Sequence, residues 1–458
     1  MFTDDTIAAI STPPGTGGIS VIRLSGSDSI EIADKIFDSP HGKKLSKVNT
    51  HTINHGYIIG ESREIIDEVL VAVMRAPKTY TTENVVEISC HGGIMSAREI
   101  LSVVLNAGAR VALPGEFTKR AFLNGRIDLC EAESVIDIIN SKTAIEHSVG
   151  VNQLRGHLSE SINQIRNSLL ELISHLQVLI DFAEEDLEPL SDEEYLNGLK
   201  KSCSDIDALI NSSVKGKILK NGIKTAIVGK PNVGKSSLLN LLYGDDRAIV
   251  TDIEGTTRDA IEECISLGKV MLDITDTAGI RNTHDAIESI GVEKSKTLMN
   301  DADLVIYMTD AGKPLDENDK FIIDALNGKN AIALINKYEL QKCVDEEYIK
   351  QKIKTVIPFS VKEKRGLAEL TEQIENMFDM GKINANTDSV ITNVRHTDSL
   401  KKAKTALKSA INAIEDKIPI NMTFIDIENA VSALGEITGQ TVGEEIIDRI
   451  FHNFCVGK

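Results

Sequence analysis

The apolar positions change their spacing near residues 117, 220 and 384. Before the first change, short β-branched runs at Ile19–Leu24, Val69–Met74 and Val85–Ser89 are interleaved with amphipathic stretches near Ser27–Phe37 and Ile94–Ala107. That mixture predicts an α+β domain over 1–118. Beyond Phe117 the period lengthens. Leu158, Ile162, Ile165, Leu169, Leu172, Leu176 and Leu179 step by four and three residues in turn, which places one apolar stripe along a long helix and reads as a bundle core. The acidic run Asp181-Phe-Ala-Glu-Glu-Asp-Leu-Glu188, followed by Pro189, reads as a solvated turn, with a cation site as the alternative.

From Lys220–Ile223 onward the pattern is one of fully apolar strands separated by helix-length stretches: Thr225–Val228, Val270–Thr275, Leu304–Thr309, Ala331–Ile335 and Val356–Phe359. Strands apolar on both faces belong to a parallel α/β sheet. Helical periodicity resumes after about Asn384 and continues to Lys458. An α/β unit with helical segments on either side predicts an insertion: an α/β domain over 218–383 set into a discontinuous all-α domain built from 119–217 and 384–458.

Composition narrows the function. The chain has 458 residues, 69 acidic and 50 basic, for a formal charge of -19, which argues against a free-standing polyanion binder. Aromatic content of 4% with no Trp does not favour a base-stacking platform. No apolar run reaches the roughly 18 residues of a membrane span, and the first residues lack a signal-peptide pattern, so a cytoplasmic location without membrane attachment is expected. Six cysteines without a CxxC pair suit reduced thiols.

The most specific chemical signal is Gly229-Lys-Pro-Asn-Val-Gly-Lys-Ser236, which fits GxxxxGK(S/T) between an expected strand and helix. Its glycines let backbone amides wrap phosphates, and the helix N-terminus adds positive charge. Lys235 reaches the β- and γ-phosphates, and Ser236 can ligate magnesium. Asn232, Val233, Gly234 and Ser237 complete the expected loop contacts. Thr256 and Thr257, then Asp276-Thr-Ala-Gly279, then Asn336-Lys337 follow in the order of a guanine-nucleotide switch. Thr257 is the natural second magnesium ligand, and the Gly279 amide would contact the γ-phosphate, with Thr277 and Ala278 in the same loop. Ser360-Val-Lys362 stands where a base-supporting loop is expected. Two departures stand out. Ile280 occupies the place of a water-orienting Gln, so a polar group must come from elsewhere, and Arg281–Glu288 is acidic enough to supply it. Glu339 replaces the Asp of the NKxD pattern, keeping the carboxylate one methylene further out.

Together with Thr12-Pro-Pro-Gly-Thr-Gly-Gly18, Leu113-Pro-Gly-Glu-Phe117, Ala121-Phe-Leu-Asn124 and the terminal Phe454-Cys-Val-Gly-Lys458, these motifs resemble the bacterial tRNA-modification GTPase family MnmE, also called TrmE. The likeness spans essentially the whole chain. It implies a tetrahydrofolate-binding N-terminal domain, a discontinuous helical domain and an inserted P-loop GTPase domain. It also implies a homodimer whose GTPase domains meet to complete a potassium-dependent site. On this likeness Asn232 is a potassium ligand, with Thr251, Ile253 and Thr256 closing over the ion, and Glu288 is the catalytic carboxylate. Arg23, Glu87, Arg126 and Lys458 fall on folate-contacting positions, and Cys455 on a catalytic one near the folate.

The activity implied is GTP hydrolysis coupled, with the flavoprotein MnmG, to installing an aminomethyl-type group on carbon 5 of the tRNA wobble uridine. The one-carbon unit would come from a 5,10-methylene- or 5-formyl-tetrahydrofolate, with FAD and NADH held by the partner. An acidic subunit of this kind delegates most tRNA contact. A ribosome-assembly or signalling GTPase is the rival from another class, though the basic appendage usual in such proteins is not visible. A folate-dependent aminomethyl transferase with a regulatory GTPase domain is the third reading.

Overall fold

A computed structural model describes residues 5–181, 191–244, 263–274, 299–379 and 389–458. The chain forms two compact units, Met1–Ile136 with Ser432–Lys458, and Asp137–Val431. Among the described residues no helix is long and apolar enough to cross a membrane.

In the first unit, β1 (Ile7–Ile10), β2 (Ile19–Ser25), β3 (Phe37–Asp38), β4 (Thr52–Ile59), β5 (Ile65–Met74), β6 (Val85–His91) and β7 (Arg110–Val111) make one sheet in the order β3-β4-β5-β6-β2-β1-β7. Every neighbouring pair is antiparallel except β1 and β7. Helices α1 (Ser29–Ile36) and α2 (Ile94–Asn106) bury Ile30, Ile32, Ile100 and Val104 against Ile22, Leu24, Val71, Val86 and Ile88 of the sheet, and α3 (Glu116–Leu123) and α4 (Leu129–Asn140) follow in the chain. Alternation then sends Arg23 and Glu87, which lie directly opposite each other in the β2–β6 register, to the other face. The C-terminal segment belongs to this unit. Phe451 and Phe454 pack with Leu129, Ala132 and Ile447, ring centroids 5.2 Å apart. Gly115 sits at φ 67, where a Cβ would come within 2.6 Å of the Phe451 carbonyl oxygen.

The second unit carries a helical frame. Its helices are α5 (Ala144–Leu154), α6 (His157–Asp181), α7 (Asp192–Asn221) and, later in the chain, Val394–Glu415 packed along α7. The stripe on α6 is buried at Leu158, Ile162, Ile165, Leu169 and Leu176, but Ile173 takes the buried place expected of Leu172, which is half-buried. A straight helix drifts about 20° per heptad against a strict seven-residue repeat, so a four-and-three stripe does not stay on one line.

Helix α7, started by a Ser191/Glu194 capping box, runs into β8 (Ile223–Val228). Strands β8, β9 (Glu263–Leu267), β10 (Val270–Ile274), β11 (Leu304–Asp310), β12 (Ala331–Asn336) and β13 (Thr355–Pro358) form a sheet in the order β13-β12-β11-β8-β10-β9. All pairs are parallel except β9 with β10. The α/β unit is thus inserted within the helical frame, as the spacing of apolar runs implied.

Where the chain returns to the frame it lies against α7. The Ser212 hydroxyl accepts from the Ile391 amide (3.1 Å), and Gln153 Nε2 donates to the Val390 carbonyl (2.7 Å). A Cβ on buried Gly216 would stand 1.9 Å from the Ile391 carbonyl oxygen. Gly216→Ala should therefore destabilise this unit by about 1–3 kcal/mol despite the better helix propensity of Ala. At Gly198, on the same helix, a Cβ would meet the Leu172 side chain, its terminal Cδ1 nearest at 3.1 Å. Gly198→Ala should be neutral or stabilising, and thermal melts of the two variants side by side check the contrast.

Candidate functional site

The chain leaves β8 towards β10 on one side and β11 on the other, so a crevice opens beyond the C-terminal ends of these strands. The phosphate loop fills it, running from Gly229 to the first turn of α8 (Lys235–Tyr243). Three of its residues have left-handed backbones: Gly229 (φ 144), Asn232 (φ 64) and Gly234 (φ 110). A Cβ on Gly229 would meet the Met308 carbonyl oxygen at 2.2 Å, and one on Gly234 would meet Asn336 Nδ2 at 2.3 Å, so both places require glycine. Lys235 folds over the loop and donates to the carbonyls of Gly229 (2.5 Å) and Lys230 (2.6 Å). Burial pushes its pKa below the ordinary lysine value. Ser236 and Ser237 are exposed on the first turn of α8.

The neighbouring strand ends hold this loop. Asn336, at the end of β12 and 3% exposed, donates from Nδ2 to the Val233 carbonyl (2.8 Å) and accepts from the Val361 amide (3.2 Å). It joins the phosphate loop to the Ser360–Lys362 segment. Lys337 donates to Asp310 Oδ2 (2.7 Å) and to the Asn232 carbonyl (3.4 Å). Burial alone would raise the Asp310 pKa, but the Lys337 ammonium and the Gly312 amide outweigh it and hold the carboxyl below its ordinary value. Glu339 is exposed, and its carboxyl is held below its ordinary value by its own amide and the Ser360 hydroxyl. Asp310 carried no signal in the sequence beyond its place at the end of an apolar strand. Thr251, Ile253, Thr256, Thr257, Asp276, Thr277, Ala278, Gly279, Ile280 and Glu288 lie outside the described residues, as does the acidic run after Asp181. The loop and its supports define the protein's class: a P-loop GTPase.

The first unit brings its own candidate residues together. Arg23 Nε donates to Glu87 Oε1 at 2.8 Å, and Arg23 NH1 donates to the Gly457 carbonyl at 3.2 Å. The Ser11 hydroxyl donates to the same carbonyl (3.0 Å), and Gly457, at φ 94, could not carry a Cβ without reaching 2.5 Å from the Ile10 carbonyl oxygen. The terminal segment is thereby seated beside Arg23, with Lys458 half-buried and Cys455 exposed. Arg126 lies over the Tyr80 ring at 4.9 Å and donates to the Tyr80 carbonyl (2.6 Å), while Arg23 stands 5.7 Å from the same ring. Tyr80, whose hydroxyl is bonded to Thr118 (2.9 Å), is the residue of this unit that sequence reasoning missed. Its ring faces two guanidiniums and lessens their mutual repulsion.

Residues 129–455 match the MnmE helical domain, and residues 6–126 match the GTP-binding protein TrmE N-terminus. The chain is 47% identical over 460 residues to the tRNA modification GTPase MnmE of Clostridioides difficile (strain 630), covering 100% of both. It is 48% identical over 457 residues to the protein of the same name from Thermoanaerobacter pseudethanolicus, covering 99% of each. Among solved structures, Era in complex with MgGDPNP and a segment of 16S ribosomal RNA matches 40% of this chain and 66% of that one at 25% identity, with a TM-score of 0.27. The chain belongs to the MnmE (TrmE) family of tRNA modification GTPases.

The Glu339 geometry yields a test of base reading. Glu339→Ala should weaken GTP binding more than inosine triphosphate binding, because inosine lacks the exocyclic amine that a carboxylate accepts from. Glu339→Asp should widen the gap between the two nucleotides. Titration with both nucleotides decides, and equal loss on both would show that the carboxylate does not read the base.

Proposed function

We propose that this GTPase works with the flavoprotein MnmG to install an aminomethyl or carboxymethylaminomethyl group on carbon 5 of the tRNA wobble uridine. On this reading it is a cytoplasmic homodimer, divided as 1–118, 119–217 with 384–458, and an inserted 218–383. The observation that carries the reading is the cluster of Arg23, Glu87, Arg126 and the terminal Gly457–Lys458 in the unit that matches the TrmE N-terminus. Its donor set fits a reduced folate. The Glu87 side chain keeps 30% exposure and suits the donor edge of an aminopyrimidinone, and the exposed Arg126 and half-buried Lys458 suit a glutamate tail. A bound tetrahydrofolate derivative would supply the one-carbon unit. FAD and NADH belong to the partner, and tRNA is held mainly by the complex.

In the second unit, Lys235 exchanges its two carbonyl acceptors for phosphate oxygens, and the amides from Asn232 to Ser237 face the same charge. Ser236, exposed on the first turn of α8, and Thr257 are the residues that would hold magnesium, which neutralises phosphate charge. Asn232, with Thr251, Ile253 and Thr256, would hold potassium, taking the part of an arginine finger, and Glu288 would orient the attacking water. Hydrolysis drives rearrangement of the complex; the alkylation is separate chemistry.

Mass spectrometry of wobble nucleosides from cells lacking the protein tests the whole reading: the modified uridine should disappear, and an unchanged profile would overturn it. Hydrolysis should run faster in potassium than in sodium, whereas equal rates would remove the potassium assignment. Glu288→Ala should abolish turnover while GTP still binds. Cys455→Ser should keep GTP hydrolysis and lose tRNA modification, and full modification by that variant would make Cys455 a packing residue only.

A further inference from the structure

Lys230, the second residue of the phosphate loop, is engaged at both ends. Its carbonyl accepts from Lys235 Nζ at 2.6 Å. Its own ammonium is paired with Asp316 and with Asp319, the latter at 2.6 Å. Asp319 is 3% exposed, and its other oxygen accepts from the hydroxyl of Tyr307, a fully buried residue of β11, at 3.1 Å. Asp316 is the N-cap of helix Glu317–Ala325 and forms a capping box with Asp319. Burial acts to lower the Lys230 pKa, but the two carboxylates outweigh it and the ammonium is held above its ordinary value. A capping box satisfies its helix end without a cation. The lysine therefore adds something the helix does not need, namely a tether from the sheet core to the outgoing arm of the loop.

We propose that Lys230 is a positioning residue for nucleotide binding. Its ion pair with Asp316 and Asp319 fixes the arm whose carbonyls hold Lys235, so that Lys235 passes to a phosphate while the arm stays in place. The tether acts on the arm as a whole and not on one phosphate. Its loss therefore weakens GTP and GDP alike, as preorganisation does when no contact to the ligand itself is removed.

The test is titration of the full-length protein with fluorescent GTP and GDP analogues, well below the melting temperature of each variant. Lys230→Met should weaken both nucleotides by about tenfold, the scale of one charge-assisted bond. Lys230→Arg should restore most of that loss. Asp316→Asn keeps an equally good N-cap and removes one of the paired charges. It should weaken both nucleotides in part, and it carries the test if Lys230→Met does not fold. A merely structural ion pair would lower the melting temperature and leave affinity untouched. Unchanged affinity in Lys230→Met or, should that variant not fold, in Asp316→Asn overturns the proposal. So does a loss confined to GTP, or an Arg variant as weak as Met.

Discussion

A phosphate loop must keep its amides for the ligand, and a segment that cannot spend its donors on itself has to be held by its other groups. The rest of the α/β unit is arranged around that constraint. The Val233 carbonyl is taken by Asn336, the Asn232 carbonyl by Lys337, and the Lys230 side chain by Asp316 and Asp319. Asn336 and Lys337 stand at or just beyond the end of a parallel strand, where a hydrogen-bonded ladder fixes their position, and Asp316 and Asp319 are fixed by the capped first turn of helix Glu317–Ala325. The burial of Asn336 and Asp319 removes competing water and strengthens these bonds.

The parallel strands were legible in the sequence because they are apolar on both faces, as at Leu304–Asp310, where every residue is buried. Strand β4 was not, since Asn54, His55 and Gly56 break its alternation and it is held by pairing with β5. Strand β9 escaped for a similar reason: it is a short edge strand made by its antiparallel partner β10. Among site residues, the motif glycines and Lys235 could be read because phosphate binding constrains a contiguous string. The supports Lys230, Asp310 and Asp319 could not, because their partnerships join residues far apart in the chain and any one of them alone looks like ordinary surface charge. Tyr80 was hidden in the same way, its part being defined by two arginines from separate elements.

In both units a carboxylate that water can still reach is placed by local hydrogen bonding. Glu339 is held by Ser360 and its own amide, and half-buried Glu87 accepts from Arg23, which stands opposite it in the strand register. A carboxylate placed in this way stays accessible while its rotamer is fixed.

The seat of Ile391 on Gly216 bears on the order of events during synthesis. Helix α7 leaves the ribosome with the place beside Gly216 unfilled, and the segment that fills it is translated only after the whole α/β unit has been made. The inserted unit can thus fold while the frame around it is still open. The frame cannot close around it until the segment carrying Ile391, which lies against the one residue of that helix turn without a side chain, has been made.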